Sequence, residues 1–197
     1  MSTTEDSQLI NFYHTSLEIK NIILATVLQM MTDRELSYEN KQYIYDKDDL
    51  CVINGNNKQY LLKLVYIKLS SIKESVIENI ISNNVKNYMF FVFMQNEIPQ
   101  KIISQLSVYN NVEIFTGAFL MFPVVKHDLV PQHIKLTKQE GEQMLHERNI
   151  SASQLKRILI TDPVSMYYNY KIGDIIRIIR PSLLSGKNID YRIVVSG

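Results

Sequence analysis

TDPVSMYYNYKIGDIIRIIR runs from Thr161 to Arg180. Asp162 can offer a side-chain oxygen to the first free amides of a helix, and Pro163 falls at the first helical position, where a missing N–H costs nothing. The spacing predicts a short helix through Tyr168. It ends at Asn169, a residue type that tolerates the left-handed conformation. Gly173 and Asp174 turn the chain into DIIRIIR, read as a strand. PSLLSGKN, from Pro181, is expected as a loop. IDYRIVV is a second strand with Tyr191, Ile193 and Val195 on one face and Asp190 and Arg192 on the other.

Upstream, TKQE from Thr137 to Glu140 has the capping-box form and predicts a helix through about Arg148, with Asn149 as its stop. The expected module is two helices packed on a small antiparallel sheet. Pro123 and Pro131 punctuate its entry, so the chain is expected to divide into residues 1–125 and 126–197.

The first part reads as α/β. Leu9, Phe12, Ile19, Ile23, Val27 and Met30 recur at helical spacing, broadened by Tyr13, Leu24 and Leu28. Asn54-Gly55-Asn56-Asn57 separates two apolar runs, the pattern of an antiparallel hairpin. SIKE at Ser71–Glu74 is a second capping box, and Ile72, Val76, Ile77, Ile80 and Ile81 give that helix its apolar face. NYMFFVFM has the character of a strand buried on both sides. Pro99 can start a short helix through Leu106, and VEIFTG is a further strand. The order α-β-β-α-β-α-β predicts a mixed sheet with helices packed on it.

Composition, at 46% apolar and 21% charged, is that of a globular protein. A single cysteine, Cys51, excludes an internal disulfide and points to a reducing compartment. The polar start, MSTTEDSQ, is not that of a signal peptide, and no apolar run approaches the roughly 20 residues that span a bilayer. Residues 1–125 carry 10 Lys/Arg and 13 Asp/Glu, hence −3, and residues 126–197 carry 11 and 7, hence +4. Neither is the strong field of a stand-alone nucleic-acid binder.

Four constellations could carry chemistry. Asp46, Asp48 and Asp49 precede a hairpin, as in metal-dependent nuclease cores, and Lys63 stands where the catalytic lysine would. Such a core needs a second carboxylate two residues before the lysine, and Leu61 occupies that position. HDLVPQH places His127, Asp128 and His133 within one short stretch. Zinc needs three or four ligands, each with an orienting partner, so histidines bonding backbone or partner groups are the expected reading. Tyr167 and Tyr168 could stack on bases, but on a short capped helix one of them is expected in the core. Arg177, Arg180 and Arg192 could pair with phosphate, but with Lys187 and Asp190 nearby a mixed-charge protein interface is the expected reading.

HDLVPQH, QLKRI, DPVSMYY, GDIIRIIRPS and SG separated by four residues from YRIVV occur in this order and spacing. Together they closely resemble the C-terminal domain of the fifth shared subunit of eukaryotic nuclear RNA polymerases. In the archaeal enzyme the same domain makes up a small subunit by itself. That archaeal protein lacks a first part like this one, so the resemblance points to the eukaryotic-type subunit or a viral relative. The N-terminal part is similar only in its order of elements. Asn169 stands where the family usually has Gly, and RPSLLSG where it usually has RPSETAG.

The resemblance implies an α/β jaw-like domain at 1–125, restriction-endonuclease-like but without the active site, and a small α+β assembly domain at 126–197. It implies a non-catalytic subunit of DNA-directed RNA polymerase, docked on the largest subunit, with the jaw near downstream DNA. No cofactor and no metal are expected. Expected partners are the largest subunit, neighbouring small subunits, transcription factors, and downstream duplex held weakly through the complex; no membrane is expected. The interface residues so implied are His127, Pro131, His133, Asp162, Pro163, Tyr167, Tyr168, Arg180, Pro181, Ser182, Leu183, Leu184, Gly186, Tyr191 and Arg192. The location expected is the nucleus for a cellular member, and the virion or host cytoplasm for a viral one. Two other functions fit less of the sequence: a Mg²⁺-dependent nuclease on the first part, and a free-standing transcription adaptor.

Overall fold

The computed structural model describes residues 17–39, 42–46, 49–55, 58–65, 86–94, 98, 100–182 and 186–196. The chain divides into two compact units, Met1–Phe122 and Pro123–Gly197.

In the first unit α1 (Leu17–Asp33) buries Ile19, Ile23, Leu24, Val27, Met30 and Met31, the stripe its spacing predicts. Leu9, Phe12 and Tyr13 lie outside the described residues. β1 (Leu50–Asn54) and β2 (Gln59–Val65) form the expected antiparallel hairpin, closed by Asn54 opposite Gln59. Gly55 is needed there because a Cβ would stand 2.5 Å from the Ser37 carbonyl oxygen. Asn56 and Asn57 lie outside the described residues. β3 (Tyr88–Phe93) runs parallel to β2, and β4 (Val112–Thr116) runs parallel to β3. The sheet order is β1-β2-β3-β4, mixed as predicted.

β3 is buried on both sides, which explains its unbroken apolar run. Met89, Phe91 and Phe93 pack with Leu61 and with Ile102 and Leu106 of α2 (Gln100–Leu106). Thr116 accepts the Phe119 N–H at 3.3 Å and so caps α3 (Gly117–Leu120). The helix predicted from SIKE, and Pro99, lie outside the described residues.

Two buried groups stand out. Arg34, just past α1, donates to both carboxylate oxygens of Glu113 on β4, at 2.6 and 3.0 Å, and the Tyr88 hydroxyl donates to the same carboxylate at 2.7 Å. Cys51 on β1 is fully buried, and that burial, with the Asp46 charge adding, pushes its thiol up to about 11.

The second unit holds a 3₁₀ turn (Val124–Lys126), β5 (Gln132–Lys135), α4 (Lys138–Arg148), a second 3₁₀ turn (Ala152–Gln154), β6 (Lys156–Leu159), α5 (Pro163–Tyr168), β7 (Ile175–Ser182) and β8 (Gly186–Val195). The sheet order is β5-β7-β8-β6. β5 and β8 both run antiparallel to β7, but β6 runs parallel to β8. The sheet is therefore mixed rather than antiparallel. β5 and β6 span four residues each, too few alternations to show as a period in the sequence. The expected loop PSLLSGKN is also shorter. Pro181 and Ser182 end β7, and β8 opens at Gly186, in the left-handed region with φ +70°. Proline reads as a breaker, yet at a sheet margin its missing N–H removes no ladder bond.

The helix ends follow their local chemistry. The Thr137 hydroxyl accepts the Glu140 N–H at 3.3 Å, and the Glu140 carboxylate accepts the Thr137 N–H at 2.8 Å. The Thr137 hydroxyl also donates to that carboxylate at 2.8 Å, and these two bonds to the carboxylate hold it below its ordinary range. Asn149 and Asn169 close α4 and α5 in the left-handed region, at φ 52° and 53°. α4 lies on one sheet face. A Cβ on its Gly141 would stand 3.2 Å from Ile175, and the Arg148 guanidinium sits 4.7 Å above the Tyr191 ring. The other face carries the core of Ile158, Tyr170, Ile176, Ile178 and Val194, with Tyr168 of α5 packed against it.

Candidate subunit interface

Strand register places the candidate residues. His133 on β5 is opposite Ile178, which is opposite Asp190. Arg180 is opposite Asn188, and Ile176 is opposite Arg192, which meets Lys156 on β6. Residues opposite one another share a face. His133, Lys156, Arg180, Asp190 and Arg192 therefore extend the face that carries Ile176 and Ile178. Asp162 of α5 is within electrostatic reach of His133.

Lys156 bonds both Asp190 oxygens, at 3.1 and 3.2 Å. Arg192 Nε lies 3.8 Å from Asp190 Oδ2 and, though buried, has no hydrogen-bond partner among the described residues. His133 Nδ1 is 2.7 Å from the Pro131 carbonyl oxygen. A carbonyl can only accept, so Nδ1 holds the proton and Nε2 is the acceptor of the neutral ring. Burial lowers the His133 pKa, and the charges of Arg192 and Arg180 act the same way; the Pro131 bond and Asp162 oppose them.

The remaining candidates scatter. His127 is exposed, and its Nδ1 accepts the Leu129 N–H at 3.2 Å. Among the described residues no three His, Cys, Asp or Glu side chains form a metal-binding group. Tyr167 is 1% exposed and belongs to the core, so it offers no surface; Tyr168 is half-buried, edge-on to Tyr167 at 5.3 Å and stacked on Tyr170 at 5.4 Å. Tyr191 lies under Arg148, on the opposite face from Arg192. Pro131 is half-buried, and Pro163 and Pro181 are exposed. Leu183 and Leu184 lie outside the described residues. Lys156 escaped the sequence reading, because its place beside Arg192 follows from a parallel pairing with no local signal.

Asp162 Oδ1 accepts the Val164 N–H at 2.9 Å and caps α5. Asp162→Ala is expected to cost about 0.5–2 kcal/mol of stability, read by thermal unfolding. An unchanged midpoint would show that Pro163 and the packed face hold the helix without the cap.

Among the described residues the nuclease constellation lacks its second carboxylate. Leu61, where a second carboxylate would be required, is 4% exposed within the first unit's core. Asp46 accepts the Leu50 N–H at 2.8 Å, and Asp49 pairs with Lys20. Asp48 lies outside the described residues.

The family profile described as RNA polymerase Rpb5, C-terminal domain, matches residues 122–194. Over 191 residues the chain is 31% identical to the DNA-directed RNA polymerases I, II, and III subunit rpabc1 of Dictyostelium discoideum, covering 88% of this chain and 95% of that one. It is 31% identical over 150 residues to the DNA-directed RNA polymerase subunit 5 of Acanthamoeba polyphaga mimivirus, covering 75% and 72% of the two chains. Against subunit RPABC1 of Caenorhabditis elegans the identity is 40% over 84 residues, 43% of this chain and 40% of the other.

Proposed function

The chain belongs to the Rpb5 family of DNA-directed RNA polymerase subunits, and from that membership we propose a non-catalytic scaffold whose second unit docks on the largest polymerase subunit. The similarity across 95% of a shared polymerase subunit carries this reading. Residues 126–197 have a charge balance of +4, and Arg180 stands exposed on the same sheet face as His133 and Arg192. A guanidinium there can make paired hydrogen bonds to a carboxylate or to backbone carbonyls of a partner.

The first unit serves as the lower-jaw element in this reading, a restriction-endonuclease-like domain without an active site, bordering downstream duplex. Leu61 in the core supports the loss of catalysis. With a balance of −3 over residues 1–125 the jaw guides DNA rather than grips it. Neighbouring small subunits and transcription factors complete the expected partners. A cellular member works in the nucleus, a viral one in the virion or host cytoplasm.

Co-expression with a tagged largest subunit tests the docking. Wild type is expected to be retained, and Arg180→Glu to weaken retention roughly tenfold, a difference of about 1.4 kcal/mol. Circular dichroism on the free variant checks its fold. Equal retention of the two would remove Arg180 from the docking surface, and loss of wild type from the complex would overturn the reading.

A further inference from the structure

The two outer margins of the β7–β8 ribbon differ. The register is unbroken from Ile175 opposite Ile193 to Ser182 opposite Gly186, whereas β5 reaches only to Ile179 on one side and β6 pairs only with Arg192–Val195 on the other. The outer part of the ribbon thus projects past both neighbours. Backbone groups alternate in direction along a strand. On β7, Ile175 gives its carbonyl to the Leu136 N–H on the β5 side, so Ile175, Arg177, Ile179 and Pro181 all face that margin. The first of them beyond β5 is Pro181, which has no N–H to offer a further strand.

On β8, Val194 bonds Asp174 and Gly173 on the β7 side, while Val195 accepts the Ile160 N–H on the β6 side. By the same alternation Asp190 and Arg192 turn inward to β7, and Ile189 turns its N–H and C=O outward, beyond the end of β6. One margin is thus blocked by proline, and at the other, among the described residues, no strand pairs with the outward amide and carbonyl of Ile189.

The side chains along the open margin are also specific. Ile189 is 47% exposed on the α4 face. On the other face stand Lys156, Arg180 and Arg192, opposed by Asp190 alone among the strand carboxylates and by Asp162 at the head of α5. Arg192 is half-buried with its Nε unbonded among the described residues. A segment laid beside β8 would present alternate side chains to these two faces.

We propose that the β8 margin around Ile189 receives an extended segment of a partner protein by strand addition, with an acidic side chain of that segment set towards Arg180 and Arg192 and an apolar one over Ile189. Main-chain hydrogen bonds hold the segment, and the charge pattern selects it. The proposal rests on the reading of this unit as a docking module.

Amide hydrogen exchange on the full chain, free and within reconstituted polymerase, tests it. The Ile189 amide is expected to exchange readily in the free chain and about 100-fold more slowly in the assembly, while the Asp190 amide, bonded to β7, is slow in both. Ile189→Pro copies the Pro181 arrangement on the opposite margin, removing the outward donor and no bond to β7. It is expected to lower retention in the complex roughly tenfold with far-UV circular dichroism unchanged. Assembly of wild type with unaltered Ile189 exchange would overturn strand addition and leave docking standing. Failure of wild type to assemble would instead overturn the docking reading. Ile189 protection that appears in the free chain with rising concentration, at twice the chain mass, would assign the margin to a second copy and also overturn the proposal.

Discussion

Glu113→Ala is expected to lower the stability of the first unit by about 3–5 kcal/mol, the usual cost of removing one partner of a buried ion pair. The Arg34 side chain is only 6% exposed and that of Glu113 12%. The substitution leaves the guanidinium desolvated and takes an acceptor from the Tyr88 hydroxyl. Arg34→Ala is expected to cost a similar amount by taking the charge partner from the carboxylate, which keeps its bond from the Tyr88 hydroxyl. A double change, Arg34→Met with Glu113→Leu, is expected to recover most of the loss, since two apolar groups leave no charge without a partner. Urea unfolding followed by circular dichroism measures all three. A loss under about 1 kcal/mol for Glu113→Ala would show that water reaches the pair and that it is effectively a surface bridge.

Tyr167→Ala should be comparably severe in the second unit. The ring is among the largest fully buried side chains of the chain. Deleting such a ring from a packed core costs about 3–5 kcal/mol, transfer and cavity contributions together. Tyr167→Phe keeps the ring and is expected to cost under about 1.5 kcal/mol. Because the proposed docking face is built on the same small sheet, Tyr167→Ala should also release the chain from the polymerase. An alanine variant that unfolds like wild type but no longer docks would make Tyr167 a contact residue and overturn its assignment to the core.

What the sequence showed and what it hid divide along physical lines. Helix ends were legible because their chemistry is local: Thr137 with Glu140, Asp162 with Pro163, and the left-handed asparagines Asn149 and Asn169 each lie within one turn of the end they define. β3 was legible because burial on both faces leaves an unbroken apolar run. The parallel pairing of β6 with β8 was not, since nothing near Lys156 announces Arg192 as its neighbour. Nor was the Arg34–Glu113 pair, whose members are 79 residues apart. The candidate interface shows the same split. Resemblance supplied His133, Arg180 and Arg192 individually, but only strand register reveals that they share a face while Tyr191 does not. Which of Tyr167 and Tyr168 is buried depends on the rotation of a helix of six residues, too short to display a period.

Cys51 gives the first unit a chemical clock. It is the chain's one cysteine, and in β1 it has no contact with solvent. An alkylating reagent can reach it only through an opening of that unit, in which the thiol returns towards its ordinary pKa of about 8.5 and becomes reactive. The labelling rate then reports how often the first unit opens and is blind to motion confined to the second. Opening of the first unit can therefore be timed in the intact chain without changing any residue.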